Sequence, residues 1–353
     1  MNHDRVAMLA ALNLVKPALA AKDLVEELTH VWFDGETLTA YNDADLGIQV
    51  PFESPFKGGI RGSLILGLLQ NSRAKEIIFD TEAEEGFVTL KAARAKARLT
   101  VLDIGRAVYE LPKESPGTFK FDETFISALK DVLVSVGNDT SIPEKMGVTI
   151  TLGKDILFHT TDSKTLAEVV LPMDKGFKGK GKAILPTTFC EQLIRLCGDG
   201  GFLDLQKDIV MATNPDGVLI WARLVESSAK PFDFIGAFDT HVKFPKGMPF
   251  ELPSRLGLAL DRALTMLDGL PDEPATFRVG GGKLRLEVQA EGRGELKDSI
   301  DIDPDVPDVS FKIAPNLIKR VMGVGTEIAM SDRVVYIVNK DGFSYLASAQ
   351  KAN

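Results

Sequence analysis

The sequence predicts an α+β chain made of three copies of one domain, each with two helices packed on antiparallel sheets. Three observations carry that reading. Apolar or amphipathic helical segments occur six times along the 353 residues. Each is followed by short strand-like runs bounded by Gly, Asp and Asn turns. The hairpin glycines Gly35, Gly153 and Gly282 recur at intervals of about 120 residues, a period that marks repeated domains and not a solenoid.

The first copy opens with helical spacing over residues 6–21, where Val6, Leu9, Leu12, Leu14 and Val15 share a broad face. Strands follow at 28–33, 37–42 and 46–52, turned by Asp34-Gly35 and by Asp43-Ala44-Asp45. An apolar helix covers 61–70, then strands 75–80, 86–92 and 97–102. Pro, Ser and Gly between 112 and 117 mark a linker. The second copy has a helix at 122–136, then strands 146–152, 156–161 and 166–171. Next come a helix at 186–197 with Pro186 at its start, and strands 201–206, 209–213 and 218–225. The third has helices at 254–267 and 313–322, with strands 275–279, 283–290, 294–302, 327–330, 334–339 and 343–347. The expected domains are 1–116, 117–245 and 246–353.

Hydrophobic residues at 44% and charged residues at 26% are ordinary for a globular protein. Net charge is −9, so the chain lacks the basic footprint of a typical nucleic-acid binder. A DNA-facing surface would have to be a local basic patch. Cations do fall on the helical segments or just beyond them: Arg5, Lys16, Lys22, Arg61, Arg73, Lys130, Arg195, Arg255, Arg262, Lys319 and Arg320. Acidic residues gather instead at 82–85, 272–273 and 298–308. Cations on a helix layer suit contact with backbone phosphates, which carries no base sequence information.

An enzyme is not expected. His3, His30, His159 and His241 have no metal-site spacing, and His159 reads as a packed or edge-strand residue. Cys190 and Cys197 share one helix face and read as buried thiols in a reducing compartment. Asp301, Asp303, Asp305 and Asp308 lack the central Gly and closing Glu of a calcium loop. Gly280-Gly281-Gly282-Lys283 is followed by a strand, so it reads as a hairpin and not a phosphate loop. No cofactor or metal is expected. No run reaches ~18 apolar residues and no leader is visible, so the expected location is cytoplasmic.

One stretch carries a resemblance. Thr161-Asp162-Ser163-Lys164-Thr165-Leu166-Ala167 is similar to a Thr-Asp-Gly-His-Arg-Leu-Ala segment in the middle domain of bacterial-type DNA sliding clamps. These clamps are the beta subunit, or processivity factor, of the replicative DNA polymerase. Looser echoes are Tyr41-Asn42-Asp43, residues 15–22, residues 91–101 and Tyr345-Leu346-Ala347. The resemblance spans the whole chain. It implies a head-to-tail homodimer forming a six-domain ring, with helices lining the hole, sheets outside and duplex DNA threaded through. Polymerase, clamp loader and other DNA enzymes would dock short linear peptides in a cleft between the middle and last domains.

Carried over residue by residue, that cleft takes in Thr161, Ser163, Lys164, Thr165 and Leu166. Phe232, or Pro231 beside it, stands where the family has a cleft proline. Leu346, Ala347 and Ser348 match the C-terminal wall, and Lys22 matches a DNA-contacting arginine. Ser163-Lys164-Thr165 replaces the family's Gly-His-Arg, and the chain runs on through Gln350 without the usual Met-Pro ending. These departures fit a divergent clamp such as a phage or plasmid version. For the dimer contact, the helix around Leu68 and Leu69 is expected to meet the helix around Met266 of a second copy. The competing reading is a β-rich scaffold or ligand-binding protein without a DNA role. It explains the composition but not six equally spaced helix–strand units.

Overall fold

In the computed structural model the described chain excludes residues 1, 23, 43–45, 82–85, 114–118, 138, 140, 174–180, 228–231, 242–243, 245–247, 269, 271 and 353, and the side chains of 235, 239 and 241. The bend at 43–45, the acidic run at 82–85, most of the 112–117 linker and Pro231 therefore lie outside it.

One module repeats six times: a short strand, a helix and three antiparallel strands. In chain order the first is β1 (Asn2–Asp4), α1 (Arg5–Val15), β2 (His30–Phe33), β3 (Thr37–Tyr41) and β4 (Leu46–Pro51). The second is β5 (Gly58–Arg61), α2 (Gly62–Gln70), β6 (Glu76–Asp80), β7 (Phe87–Ala92) and β8 (Ala95–Thr100). The third is β9 (Phe119–Phe121), α3 (Glu123–Val132), β10 (Gly147–Leu152), β11 (Asp155–Thr161) and β12 (Thr165–Pro172). The fourth is β13 (Gly181–Pro186), α4 (Thr187–Leu196), β14 (Gly201–Leu205), β15 (Ile209–Thr213) and β16 (Leu219–Arg223), after which comes α5 (Phe234–His241). The fifth is β17 (Phe250–Glu251), α6 (Leu256–Met266), β18 (Ala275–Gly280), β19 (Lys283–Ala290) and β20 (Gly294–Asp301). The sixth is β21 (Val309–Ile313), α7 (Pro315–Lys319), β22 (Glu327–Met330), β23 (Val334–Val338) and β24 (Phe343–Ser348), with β25 (Gln350–Lys351) last.

The strand that leads each module was not expected. These strands are two to six residues long and all but β17 lead into a helix within two residues, so they show little alternation. Their pairing is reciprocal. β1 pairs with β6 and β5 with β2; β9 pairs with β14 and β13 with β10; β17 pairs with β22 and β21 with β18. Neighbouring modules thus exchange their leading strands. The expected helices are shorter than the apolar periodicity suggested. α1 stops at Val15 because Pro17 has no N–H to continue it.

The chain forms two compact units, residues 1–126 with 188–224, and residues 127–187 with 225–353. The first holds a four-stranded sheet, β1-β6-β7-β8, and an eight-stranded sheet, β5-β2-β3-β4-β16-β15-β14-β9. In its core α1 buries Met8, Leu12 and Val15 at helical spacing, and α2 buries Ile65, Leu66 and Leu69. Phe33, Phe56 and Phe79 meet there with ring centroids 4.8 to 6.2 Å apart. The second unit holds an eight-stranded sheet, β13-β10-β11-β12-β24-β23-β22-β17, and a five-stranded sheet, β20-β19-β18-β21-β25. α6 buries Leu256, Ala259, Leu260 and Ala263, and Phe277 stacks on Phe311 at 5.3 Å. Each large apolar side chain so buried contributes about 1.5–3 kcal/mol.

Both eight-stranded sheets join modules that are distant in sequence. β4 pairs with β16 and β12 with β24, both antiparallel. No helix among the described residues is long and apolar enough to cross a membrane.

Candidate functional site

The Asp162 turn is built by side-chain oxygens. Asp162 Oδ1 accepts from the N–H groups of Lys164 (3.0 Å) and Thr165 (2.7 Å), and from the Thr165 hydroxyl (2.8 Å). Thr161 Oγ1 donates to the Thr165 carbonyl at 2.8 Å. Ser163 closes the turn in the left-handed region, with φ +75°. β12 leaves this turn between β11 and β24, and the register sets Thr161, Leu166, Leu346 and Tyr336 side by side across four strands.

That row forms the floor of an apolar cluster. Phe238 from α5, Val334 and Leu346 are each less than a tenth exposed, with Leu166 and Tyr336 packed against them. Phe244 stacks on Tyr336 at 5.7 Å. The next row on the same face is Thr149, His159, Glu168 and Ser344. His159 Nε2 lies 2.8 Å from Glu168 Oε2, and Phe234 stacks on the imidazole at 4.9 Å. α5 therefore crosses both rows with residues four apart, which share a helix face.

The structure brings Leu166 and Leu346 together, in direct register on β12 and β24. Thr161 and Thr165 are buried, their hydroxyls engaged in the turn. Lys164 is exposed and pairs with Asp272 at 3.1 Å, which holds that carboxyl below the usual carboxylate range. Ala347 is buried on the opposite face of its strand from Leu346, and Ser348 is exposed, donating its N–H to the Lys164 carbonyl at 2.8 Å. Phe232 is 41% exposed and meets Phe234 edge to face at 4.9 Å. Phe238, Val334, Tyr336 and Phe244 were missed. The signal available for Phe238 was its spacing from Phe234.

The expected cations divide. Arg5 is not a free surface cation, because its guanidinium donates to the carbonyls of Ala74 (2.9 Å) and Leu69 (3.1 Å). Arg195 caps α1, donating to the carbonyls of Leu14 (2.7 Å) and Asn13 (3.5 Å), the last of which Pro17 leaves without a helical donor. Arg262 pairs with Asp298 and Lys319 with Asp261. Arg320 is drawn into the second unit, where it meets Asp162, Tyr345 and the Val134 carbonyl. Lys16, Lys22, Arg61, Arg73, Lys130 and Arg255 are exposed. The exposed positions of α1, namely Val6, Ala7, Ala10 and Asn13, carry no charge, and neither do Ser63, Leu64 and Gln70 of α2.

Of the expected dimer residues, Leu69 is fully buried in its own unit and cannot serve a partner. Leu68 and Met266 are half-buried, and Leu64 and Leu258 are the exposed leucines of those helices. Burial pushes the Cys197 thiol up to about 12 and raises that of Cys190 further, so neither is a nucleophile at neutral pH. No group of three or more His, Cys, Asp or Glu among the described residues is placed to hold a metal. A hollow of about 880 Å³ lies away from the apolar cluster, in the second unit, with Glu251, Asp301, Asp303 and Asp305 against Arg255.

Six modules of strand, helix and three antiparallel strands, with four of the third strands joined pairwise into two eight-stranded sheets, are the fold of the DNA-clamp class. The solved structures it matches include bacterial sliding clamps. The beta subunit from DNA polymerase of Streptococcus pyogenes superposes with a TM-score of 0.85 at 16% identity, covering 99% of each chain. The DNA polymerase sliding clamp of Bacillus subtilis gives 0.86 at 14%, covering 100% of this chain and 99% of the other. The DNA polymerase III beta subunit of Thermotoga maritima gives 0.81 at 15%, with the same coverage. No protein-family model matches the chain, and no curated protein matches it significantly in sequence.

Proposed function

We propose that this chain is a DNA sliding clamp: a non-enzymatic ring that encircles duplex DNA and tethers a replicative polymerase and other DNA enzymes for processive synthesis. The observation that carries this is the set of six third strands. β4 and β16 pair, as do β12 and β24, while β8 and β20 each end a sheet. An open sheet edge is a template for another chain. By the rule the other four obey, β20 of one chain pairs antiparallel with β8 of a second, twice, and a head-to-tail homodimer closes. Charge favours the match. Lys96 and Arg98 are exposed on β8 beside Arg94, while β20 exposes Glu295 and Asp301, paired within the chain with the exposed Lys297 and with Lys283, and leads to Asp303 and Asp305, so the acidic excess lies towards the end of β20.

In this reading the three-domain division at 116 and 245 holds, and DNA is retained by topology. With α1 and α2 uncharged on their exposed faces and several cations already paired, phosphate contacts are few. Lys16, Lys22, Arg61, Arg73, Lys130 and Arg255 are the exposed cations that would make them. The cluster of Leu166, Leu346, Val334 and Phe238 is the docking cleft for short linear peptides of polymerase and clamp loader, with Ser163 and Lys164 at its rim.

Two measurements test this. Solution mass should be twice 38.4 kDa. The dimer should stimulate its cognate polymerase on primed circular DNA and lose that effect on linear DNA with free ends. A strict monomer at micromolar concentration, or equal stimulation on both templates, would favour the scaffold reading.

A further inference from the structure

The row beside the cleft holds a polar pair, a buried imidazole and a partly exposed carboxylate, that the docking surface does not touch. His159 is 3% exposed on β11, and its Nε2 is held at 2.8 Å by Glu168 on β12. A buried imidazole in a sheet is commonly a packing residue. Here it has a second neighbour: Phe234, also buried, lies over the ring at 4.9 Å with the planes 27° apart. Phe234 opens α5, and Phe238, one turn later on the same face, packs with Val334 and Leu346. α5 is only eight residues long, too short to be stable alone, so its placement depends on what those two rings grip.

We propose that His159, oriented by Glu168, is a positioning residue of the docking cleft. Its imidazole face holds Phe234, and that grip sets α5 so that Phe238 stands over Leu346 and Val334. The Glu168 bond fixes the rotation of the ring and with it the plane on which Phe234 rests. Without that plane, Phe238 is the one remaining ring among the described side chains of α5 that grips the sheet, and the cleft loses a defined wall. This inference rests on the reading of the cluster as a peptide-docking site.

The test uses the full chain and two readouts, hydrogen exchange of residues 234–241 and stimulation of the polymerase on primed circular DNA. His159→Gln should raise α5 exchange by about three- to tenfold, the loss of one aromatic pair. It should lower stimulation by a similar factor while exchange in β23 and β24 stays at the wild-type rate. His159→Phe combined with Glu168→Gln keeps the ring face without stranding a carboxylate but loses the bond that fixes the ring's rotation, so both readouts should recover only in part, to between His159→Gln and wild type. Glu168→Ala, at a partly exposed side chain, should give a smaller effect of the same sign in a chain that remains folded. Unchanged α5 exchange in His159→Gln and Glu168→Ala would overturn the proposal whatever the stimulation does. Loosened α5 with full stimulation would equally overturn it. Leu166→Ser reports on the docking reading separately: if stimulation survives that change, the cleft itself is not the docking site.

Discussion

The guanidinium of Arg320 donates to Asp162 Oδ2 at 2.9 Å and so ties the end of α7 to the turn between β11 and β12. The same group donates to the Tyr345 hydroxyl at 3.0 Å and to the Val134 carbonyl at 2.9 Å. Four segments of the second unit thus meet at one planar cation, a geometry that lysine cannot reproduce. Arg320→Met should destabilise this unit by about 2–3 kcal/mol, because Asp162 and Tyr345 keep their burial and lose their partner. Arg320→Lys should recover less than half of that. Urea unfolding at unchanged m-value measures both, and a change below ~0.5 kcal/mol for Arg320→Met would show that the network is idle.

Tyr345 gives the same network a pH dependence. Burial raises its hydroxyl from 10.0 to about 12, and the nearby Arg320 only partly offsets that. A raised folded pKa means that the native state holds the proton more tightly than the unfolded chain. The contribution is therefore complete below about pH 10 and is lost as pH rises from 10 to 12, amounting to about 2–3 kcal/mol. Tyr345→Phe should be less stable at neutral pH, since it loses the bonds to Arg320 and to the Leu317 carbonyl. It should also lose less stability than wild type across that window. Parallel stability curves for the two proteins between pH 9 and 12 would refute the assignment.

Much of this was legible in the residues. Asp34-Gly35 and Asp162-Ser163 announced their turns because side-chain acceptors act locally. Leu166 and Leu346 could be paired through resemblance, and the structure sets them in direct register. The six leading strands were not legible, since their partners lie in the neighbouring module and nothing local records that. α5 was missed for a related reason: residues 234–241, Phe-Ile-Gly-Ala-Phe-Asp-Thr-His, contain a helix-breaking Gly, and their apolar spacing acquires meaning only against a sheet. The role of Arg320 was misjudged because a cation at a helix end reads as solvated until the acceptors around it are known.

Ser163 holds φ +75° without being glycine. A β-carbon in that region costs about 1–2 kcal/mol, whereas glycine gives back about 0.5–1 kcal/mol in unfolded-chain entropy. Ser163→Gly should therefore be neutral to about 1 kcal/mol stabilising, and Ser163→Val clearly destabilising. Thermal unfolding of the three proteins decides it. Equal midpoints for the serine and valine forms would mean that the turn relaxes out of the left-handed region.

Gly47 and Trp221 occupy in the first unit the register positions that Leu166 and Leu346 occupy in the second. Where the second unit has an apolar cluster floored by two leucines, the first is filled by an indole lying near Tyr41 (6.3 Å) and Tyr109 (6.1 Å). A β-carbon on Gly47 would overlap that indole. Gly47→Ala should cost about 1–3 kcal/mol by overpacking. The paired change Gly47→Leu with Trp221→Leu copies the second unit's solution and should be less harmful than the sum of its parts, a coupling of at least ~1 kcal/mol. Strict additivity in a double-mutant cycle would show that the two sites do not share space.

The ring closure proposed for β8 and β20 can be probed with charge alone. Reversing Lys96 and Arg98 to Glu puts acid against acid at both junctions of a homodimer. Reversing Glu295 and Asp301 to Lys puts base against base. Each variant should dimerise about tenfold or more weakly than wild type at low salt, and the deficit should shrink as salt screens it. Mixing the two variants is the stronger test. In a head-to-tail heterodimer one junction joins the two reversed strands and the other joins the two native ones, so both are complementary again. Sedimentation of the mixture should show dimer at concentrations where each variant alone is monomeric. If the variants dimerise unchanged, or the mixture fails to recover, β8 and β20 are not the strands that meet.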